Sequence, residues 1–191
     1  MKKIALIEPQ SKADHVYSFV RMPRLGLPLL GALLKAEGYE VTIYYGRGDR
    51  LPWPKILQAD LVGISTTTST SREAYCMSGY VRSHGLPAVI GGIHATLMPE
   101  EALAYADYVV RGEGEHSFLE LIRSLEAGRL PEGIPGVSYW DQGEAIHNPG
   151  QQEWVDIDQL PSPDLSLYHR QLSIRTLPLL TSRGCPHNCT F

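Results

Sequence analysis

Val89-Ile90-Gly91-Gly92-Ile93-His94-Ala95-Thr96 is a short apolar run closed by two glycines, a histidine and a hydroxyl. Pro99-Glu100-Glu101 opens a helix just beyond it. The run reads as a strand buried on both faces. Paired glycines directly after it let the chain turn sharply and let a bulky group lie against the backbone. That group is either a ligand or a neighbouring helix, and the rest of the chain has to decide which.

Four further runs of strand length surround this one: Lys3–Glu8, Val41–Tyr45, Asp60–Ser65 and Tyr108–Val110. Helical patterns lie between them. Leu30, Leu33 and Leu34 form the inner stripe of a helix over Leu25–Glu37, with Gly38 placed to stop it. Lys55–Ala59 gives a short helix, and Thr70 and Glu73 have capping-box spacing before a helix carrying Ala74, Met77 and Val81. Glu100–Tyr105 is a short helix. Phe118, Leu121, Ile122 and Leu125 follow the i, i+3, i+4, i+7 rule along Glu115–Ala127. Five βα units in succession predict an α/β fold, a flavodoxin-like or Rossmann-like five-stranded parallel sheet of order 2-1-3-4-5 over residues 1–130.

Half of the 14 prolines follow Leu130, so helix is disfavoured there. Val137–Trp140, Asp141-Gln142-Gly143 and Glu144–His147 read as a β-hairpin, and Asp156–Pro163 as an extended linker. Residues 131–175 are accordingly assigned to hairpin and linker. Residues 176–191 are assigned to the start of a further domain, with a new strand over Leu177–Ser182.

With 43% hydrophobic and 20% charged residues among 191, the composition is that of a globular protein. The net charge of −4 and the absence of a basic run argue against nucleic acid as the main partner. No apolar stretch approaches the roughly 20 residues of a membrane span. Met1-Lys2-Lys3 and the apolar run after it are cut by Glu8-Pro9-Gln10 too early for a signal peptide. Three cysteines form no disulfide framework, and the expected compartment is the cytoplasm.

Ligands of open α/β sheets bind beyond the carboxyl ends of the strands at the point where the order reverses, here between strands one and three. The bordering loops are Pro9–Arg24, Ser65–Thr70 and Gly91–Thr96, with Arg111–Glu115 beyond the fourth strand. The first carries Asp14, His15, Arg21 and Arg24 and is long for its place. Each also has a plainer reading. Five consecutive hydroxyl residues from Thr66 to Thr70 exceed what a helix cap needs, yet capping is part of their chemistry. Gly91-Gly92 serves helix–strand packing equally well, and His94 is as readily a structural histidine as a ligand. Glu113 and Glu115 suit a helix N-terminus and disfavour phosphate. Neither a Gly-x-Gly-x-x-Gly after the first strand nor a Walker pattern is present, so a large, partly apolar ligand fits the small-residue lining better than a nucleotide.

The last residues, Thr181-Ser182-Arg183-Gly184-Cys185-Pro186-His187-Asn188-Cys189-Thr190-Phe191, carry the most specific signal. Cys185 and Cys189 are spaced C-x-x-x-C, and one more cysteine would complete C-x-x-x-C-x-x-C. This resembles the opening of a radical S-adenosylmethionine domain, in which three thiolates hold a [4Fe–4S] cluster and leave one iron open to S-adenosylmethionine. The body, with Val62-Gly63-Ile64-Ser65, Gly91–Thr96 and Arg111–Glu115, is similar to the N-terminal cobalamin (B12)-binding domain of cobalamin-dependent radical S-adenosylmethionine enzymes of the methyltransferase type. The connector Ile134-Pro135-Gly136-Val137 and Asp158-Gln159-Leu160-Pro161-Ser162-Pro163 matches as well.

That resemblance implies a cobalamin site at Ser65, Thr66, Thr67, Gly91, Gly92, His94, Thr96, Gly112, Glu113 and Gly114, with Cys185 and Cys189 as iron ligands. It implies methyl transfer to an unactivated carbon, with no catalytic residue in this stretch. The Asp-x-His-x-x-Gly signature that supplies a histidine to cobalt is missing, because Asp14-His15 is followed by Val16. Cobalamin is therefore expected base-off, with no histidine ligand. The sequence stops before a third cysteine, so the expectation is a piece of a longer enzyme whose radical S-adenosylmethionine barrel follows. The alternatives are the same fold without cobalamin, acting as a docking or substrate-positioning module, and a free-standing flavodoxin-like regulatory domain.

Overall fold

Lys3–Pro9 forms β1, and every residue after Lys3 in it is buried. Apolar residues follow one another along it instead of alternating because helices cover both faces of the strand. The computed structural model describes residues 1–10, 23–150, 155–170 and 178–183. Next come α1 (Gly26–Ala36), β2 (Glu40–Gly46), a short α2 (Trp53–Ile56), β3 (Leu61–Ser65), α3 (Ser71–Ser83) and β4 (Ala88–Gly91). Two one-turn helices, α4 (Ile93–Leu97) and α5 (Pro99–Leu103), precede β5 (Tyr108–Val110), α6 (Gly114–Glu126), β6 (Val137–Asp141) and β7 (Glu144–His147).

The sheet runs β2-β1-β3-β4-β5-β6-β7. The first five strands are parallel in the expected order, so the chain reverses direction across the sheet between β1 and β3. Seven strands, not five, make up the sheet, because the hairpin continues it: β6 pairs antiparallel with β5, and β7 with β6. Gln142 and Gly143, both at positive φ, form its two-residue turn, the geometry that matches strand twist. Trp140 Nε1 donates to the Leu103 carbonyl at 3.0 Å and ties the hairpin to α5.

Two apolar layers flank the sheet. On one face α3, α4 and α5 bury Ala74, Met77, Val81, Ala95 and Leu103 against Ile7, Val62 and Ile90. On the other, α1 and α6 bury Leu27, Leu34, Phe118, Leu121 and Ile122 against Leu6, Leu61, Val89 and Val110. Among the described residues, no helix is long and apolar enough to cross a membrane.

Several local expectations need correction. Ile93–Thr96 is not part of a loop but winds into α4, which begins one residue after Gly92. Thr70–Glu73 is not the capping pair. Thr67 and Thr70 form a capping box around the 3-10 turn Thr68–Thr70, while Glu73 Oε1 accepts from the Gly48 N–H at 2.8 Å. The linker is not simply extended: Asp156 and Asp164 cap 3-10 turns at Ile157–Gln159 and Leu165–Leu167 with their own carboxylates. It is also docked. Lys35 Nζ donates to Asp164 at 2.8 Å, and the His169 N–H donates to the Ile43 carbonyl at 2.8 Å. Pro178–Ser182, the described part of the expected strand Leu177–Ser182, carries no ladder and is irregular, since a strand needs a paired neighbour to hold its backbone.

Candidate functional site

The carboxyl ends of β1, β3, β4 and β5 meet α1 and α6 around a cavity of about 310 Å³. Leu6, Leu27, Val89, Val110 and Phe118 give it an apolar floor. Ser65, Gly91, Gly92, Gly112 and Gly114 form a rim of small residues, where backbone lies open to whatever enters. Glu113, Glu115 and Arg183 supply its charge. The cavity therefore lies where the strand order reverses, at the end of the sheet that open α/β folds use for ligands.

Six of the ten expected cofactor-binding residues line it: Ser65, Gly91, Gly92, Gly112, Glu113 and Gly114. The other four do not. Thr66 is fully buried and its hydroxyl is 3.2 Å from that of Thr70, and Thr67 caps the 3-10 turn that follows. Thr96 Oγ1 donates to the Gly92 carbonyl at 3.0 Å and accepts from the Gly112 N–H at 2.9 Å, so it braces two rim segments from outside. His94 packs in the opposite layer. Its Nε2 lies 2.9 Å from the Tyr75 hydroxyl and its Nδ1 3.2 Å from Thr68 Oγ1. Cys185, Cys189, Asp14, His15 and Arg21 lie outside the described residues.

The two glycines differ in what they permit. A Cβ on Gly92 would stand 2.5 Å from the Thr66 carbonyl oxygen and 2.9 Å from its nitrogen, and φ there is +93°. The close approach of the β3 and β4 ends thus fixes Gly92 before any ligand is considered. At Gly91 a Cβ would meet only Val110, its carbonyl oxygen at 3.4 Å and its Cβ at 3.9 Å, ordinary contacts. Gly26, on the α1 side of the cavity, has nothing within 4 Å of that position. Gly91 and Gly26 thus leave space beside the cavity that a Cβ could occupy, whereas at Gly92 the turn itself leaves none.

Residues that the loop-based reading passed over do much of the shaping. Gly63 sits mid-strand, and its missing Cβ would come 2.9 Å from Leu6 Cδ2 and 3.1 Å from Phe118 Cζ. A glycine inside a buried strand is itself a sign of close approach. Glu8 is 3% exposed at the end of β1. Arg24 Nε donates to its Oε1 at 2.8 Å and the Tyr168 hydroxyl to its Oε2 at 3.0 Å. Arg24 also donates from Nη2 to the Ser65 carbonyl at 3.2 Å, on the cavity rim. Burial, and then the Glu8 carboxylate, push the Tyr168 phenol well above the ordinary tyrosine range, so it stays a donor. This clasp fastens the connector to the ends of β1 and β3. A lone carboxylate in an apolar strand was its signal, since buried charges need partners.

At the mouth, Arg183 Nη1 is 2.7 Å from Glu115 Oε1 and 3.6 Å from Glu113 Oε1. The Val155 N–H donates to Glu113 Oε2 at 3.3 Å. Two carboxylates and one guanidinium already paired with them make a poor seat for a phosphate or nucleotide anion. The apolar floor suits a flat, uncharged ring instead. At about 310 Å³ the space is at the lower limit for ligand pockets, roughly 300–1,000 Å³, which admits a fused aromatic base and not a macrocycle. Among the described residues no group of three histidine, cysteine or carboxylate side chains could hold a metal ion.

Comparison with known proteins accords with this geometry. Residues 17–122 match the family model of the B12 binding domain. An uncharacterized methyltransferase of Pyrococcus horikoshii is 32% identical over 206 residues, spanning 100% of this chain and 45% of that protein. The bacteriochlorophyllide d C-8(2)-methyltransferase of Chlorobaculum tepidum is 29% identical over 132 residues, covering 69% of this chain and 27% of the relative. The chain thus spans less than half the length of either. In fold it is similar to OxsB, a cobalamin-dependent S-adenosylmethionine radical enzyme solved with aqua-cobalamin and S-adenosylmethionine bound, at a TM-score of 0.72, with 20% identity over 87% of this chain and 24% of that one. The family match covers more than half of the sequence, and this chain belongs to the B12 binding domain family.

Proposed function

We propose that the chain holds cobalamin by its nucleotide tail and serves as the cobalamin module of a radical S-adenosylmethionine methyltransferase. The observation that carries this reading is the apolar cavity at the reversal of strand order, in a chain of the B12 binding domain family. The tail base occupies the cavity between α1 and α6, above Leu6, Val89 and Phe118, with Ser65, Gly91, Gly112 and Gly114 offering backbone and small side chains at its rim. The corrin is too large for that space and lies outside, over the strand ends. Ile93 and Leu97 of α4, both exposed, provide apolar surface beyond β4 for such a ring. When bound, the cofactor supplies a cobalt-borne methyl group for transfer. This chain's residues bind and orient it, and no side chain among the described residues is assigned a proton-transfer role.

The sequence has no Asp-x-His-x-x-Gly segment to offer the cobalt a histidine, and the cofactor would accordingly be held base-off by the residues of the cavity. Cys185 and Cys189 contribute two of the three thiolates of a [4Fe–4S] cluster whose barrel follows in the whole enzyme. The relatives named as methyltransferases support methyl transfer as the reaction, here to an unactivated carbon.

The test is direct. The purified chain is mixed with hydroxocobalamin or methylcobalamin and gel-filtered, and the visible spectrum of the protein peak is recorded. Co-elution of one corrin per chain is expected. Absence of corrin with either form rejects the reading and favours the docking-module alternative.

A further inference from the structure

The side chains along the floor of the cavity, Leu6, Leu27, Leu30, Val89, Val110 and Phe118, are all hydrocarbon. Much of the backbone polarity around its rim is already engaged within the protein. The Ser65 carbonyl accepts from Arg24 Nη2 at 3.2 Å, and the Gly91 carbonyl from the Thr66 N–H at 2.8 Å. The Gly92 carbonyl accepts from both the N–H and the hydroxyl of Thr96, each at 3.0 Å, and the Gly112 N–H donates to Thr96 Oγ1 at 2.9 Å. At the mouth, Glu113 accepts from the Val155 N–H and Glu115 from Arg183. Among the described lining residues, Ser65 alone carries a hydroxyl.

A group that enters such a cavity has to bring few hydrogen-bonding atoms of its own. Each polar atom that goes in without a partner keeps its desolvation cost. Water does not make up the deficit at the floor, because a bound water itself needs about two to four polar partners. Each methyl group buried there, by contrast, is worth roughly fourfold in affinity.

Resting on the cobalamin reading above, we infer that this cavity selects among corrinoids by the polarity of the tail base: it takes a methylated benzimidazole or a cresol ring and rejects a purine. Dimethylbenzimidazole released from cobalt brings a single bare ring nitrogen and carries methyl groups that the floor buries. Adenine brings several bare ring nitrogens and an exocyclic amine, and no methyl group. The two are similar in size, so the discrimination rests on unpaired polar atoms and not on steric exclusion. An apolar pocket rejects a more polar analogue of the same shape by a limited factor, about a hundredfold at most.

Equilibrium dialysis of the 191-residue chain, read by corrin absorbance, gives dissociation constants for corrinoids that differ in the tail. The probes are hydroxocobalamin, its adenine-tailed and p-cresol-tailed counterparts, and cobinamide, which has no nucleotide. The p-cresol ring, joined through its oxygen, cannot ligate cobalt, so this probe separates the polarity of the base from the cost of releasing it. Hydroxocobalamin and the p-cresol form are expected to bind about ten- to a hundredfold more tightly than the adenine form. An adenine form within about threefold of hydroxocobalamin, less than the scale of one unpaired polar group, overturns the inference and leaves the cobalamin reading standing. A p-cresol form as weak as the adenine form also overturns it, since the site then reads the ring nitrogen of the benzimidazole and not its apolarity. Cobinamide bound as tightly as hydroxocobalamin places the tail outside the cavity and overturns both readings, as does a chain that binds none of these corrinoids.

Discussion

Replacing Tyr168 with phenylalanine removes one oxygen from the molecule, and the structure says what that oxygen is worth. The Tyr168 side chain is 3% exposed and its hydroxyl donates at 3.0 Å to Oε2 of Glu8, itself 3% exposed. Arg24 holds the other carboxylate oxygen at 2.8 Å and is itself partly solvated. Phenylalanine fills the same space but leaves a buried, charged oxygen short of its donor, which costs about 1.5–3 kcal/mol. For a chain of this length each kcal/mol moves the midpoint by roughly 2–4 °C, so the melt should fall by about 3–12 °C. Thermal unfolding followed by circular dichroism reads the shift. Adding Glu8→Gln should bring little further loss, since the double variant has no unpaired charge left to bury. A Tyr168→Phe midpoint within about 1 °C of wild type, less than a kcal/mol by the same conversion, would refute the claim that this contact clasps the connector to β1.

Other consequences follow from the same contacts. Gly92→Ala must push its Cβ away from the Thr66 backbone at 2.5 Å and hold a positive φ, so its melt should fall by more than the equivalent of about 1 kcal/mol without any ligand present. A Cβ at Gly26, the first residue of α1, would meet no atom within 4 Å, so the melt of Gly26→Leu should stay close to wild type while corrinoid retention is lost. Six tyrosines, Tyr39, Tyr44, Tyr75, Tyr108, Tyr139 and Tyr168, have phenols raised chiefly by burial. Raised values mean that their stabilisation is complete below about pH 10 and is lost as the pH climbs toward the folded values; melts across that range should show the decline, shallower in Tyr168→Phe. Asp164 shifts the other way, lowered first by the Lys35 hydrogen bond. Its contribution is complete above about pH 4 and disappears below, so Asp164→Asn should flatten the acid limb of the same profile.

The strand order and the reversal point were legible because five apolar runs alternate with helical stripes, and a right-handed crossover leaves few topologies. The cavity's place followed from that order. Its walls were harder to read. Leu6, Val89 and Phe118 look like any core residues in a linear sequence, and only the pairing of β1, β3 and β4 shows that they share one floor. The hydroxyl run Thr66–Thr70 drew attention as a ligand site, yet Thr66, Thr67 and Thr70 bond one another around the 3-10 turn and Thr68 bonds His94. His94 illustrates a related ambiguity. Its position just past the glycines suggested a loop tip, but the helical turn of α4 swings the ring into the layer of Tyr75. Gly92 shows how one glycine can carry two reasons, since backbone closure at Thr66 demands it and it also lines the cavity. The lone carboxylate of Glu8 in an apolar strand signals that a partner exists, but its identity, Tyr168, 160 residues further on, has no local signature.

The central claim is that the cavity above Leu6, Val89 and Phe118 receives the tail base of cobalamin. A crystal structure of the chain grown with hydroxocobalamin tests it most directly. Planar density for the base is expected between α1 and α6, bounded by Gly26, Gly91 and Gly114, with the corrin outside. Density that shows the base folded back onto the cobalt, or bound at any other surface of the chain, would contradict it.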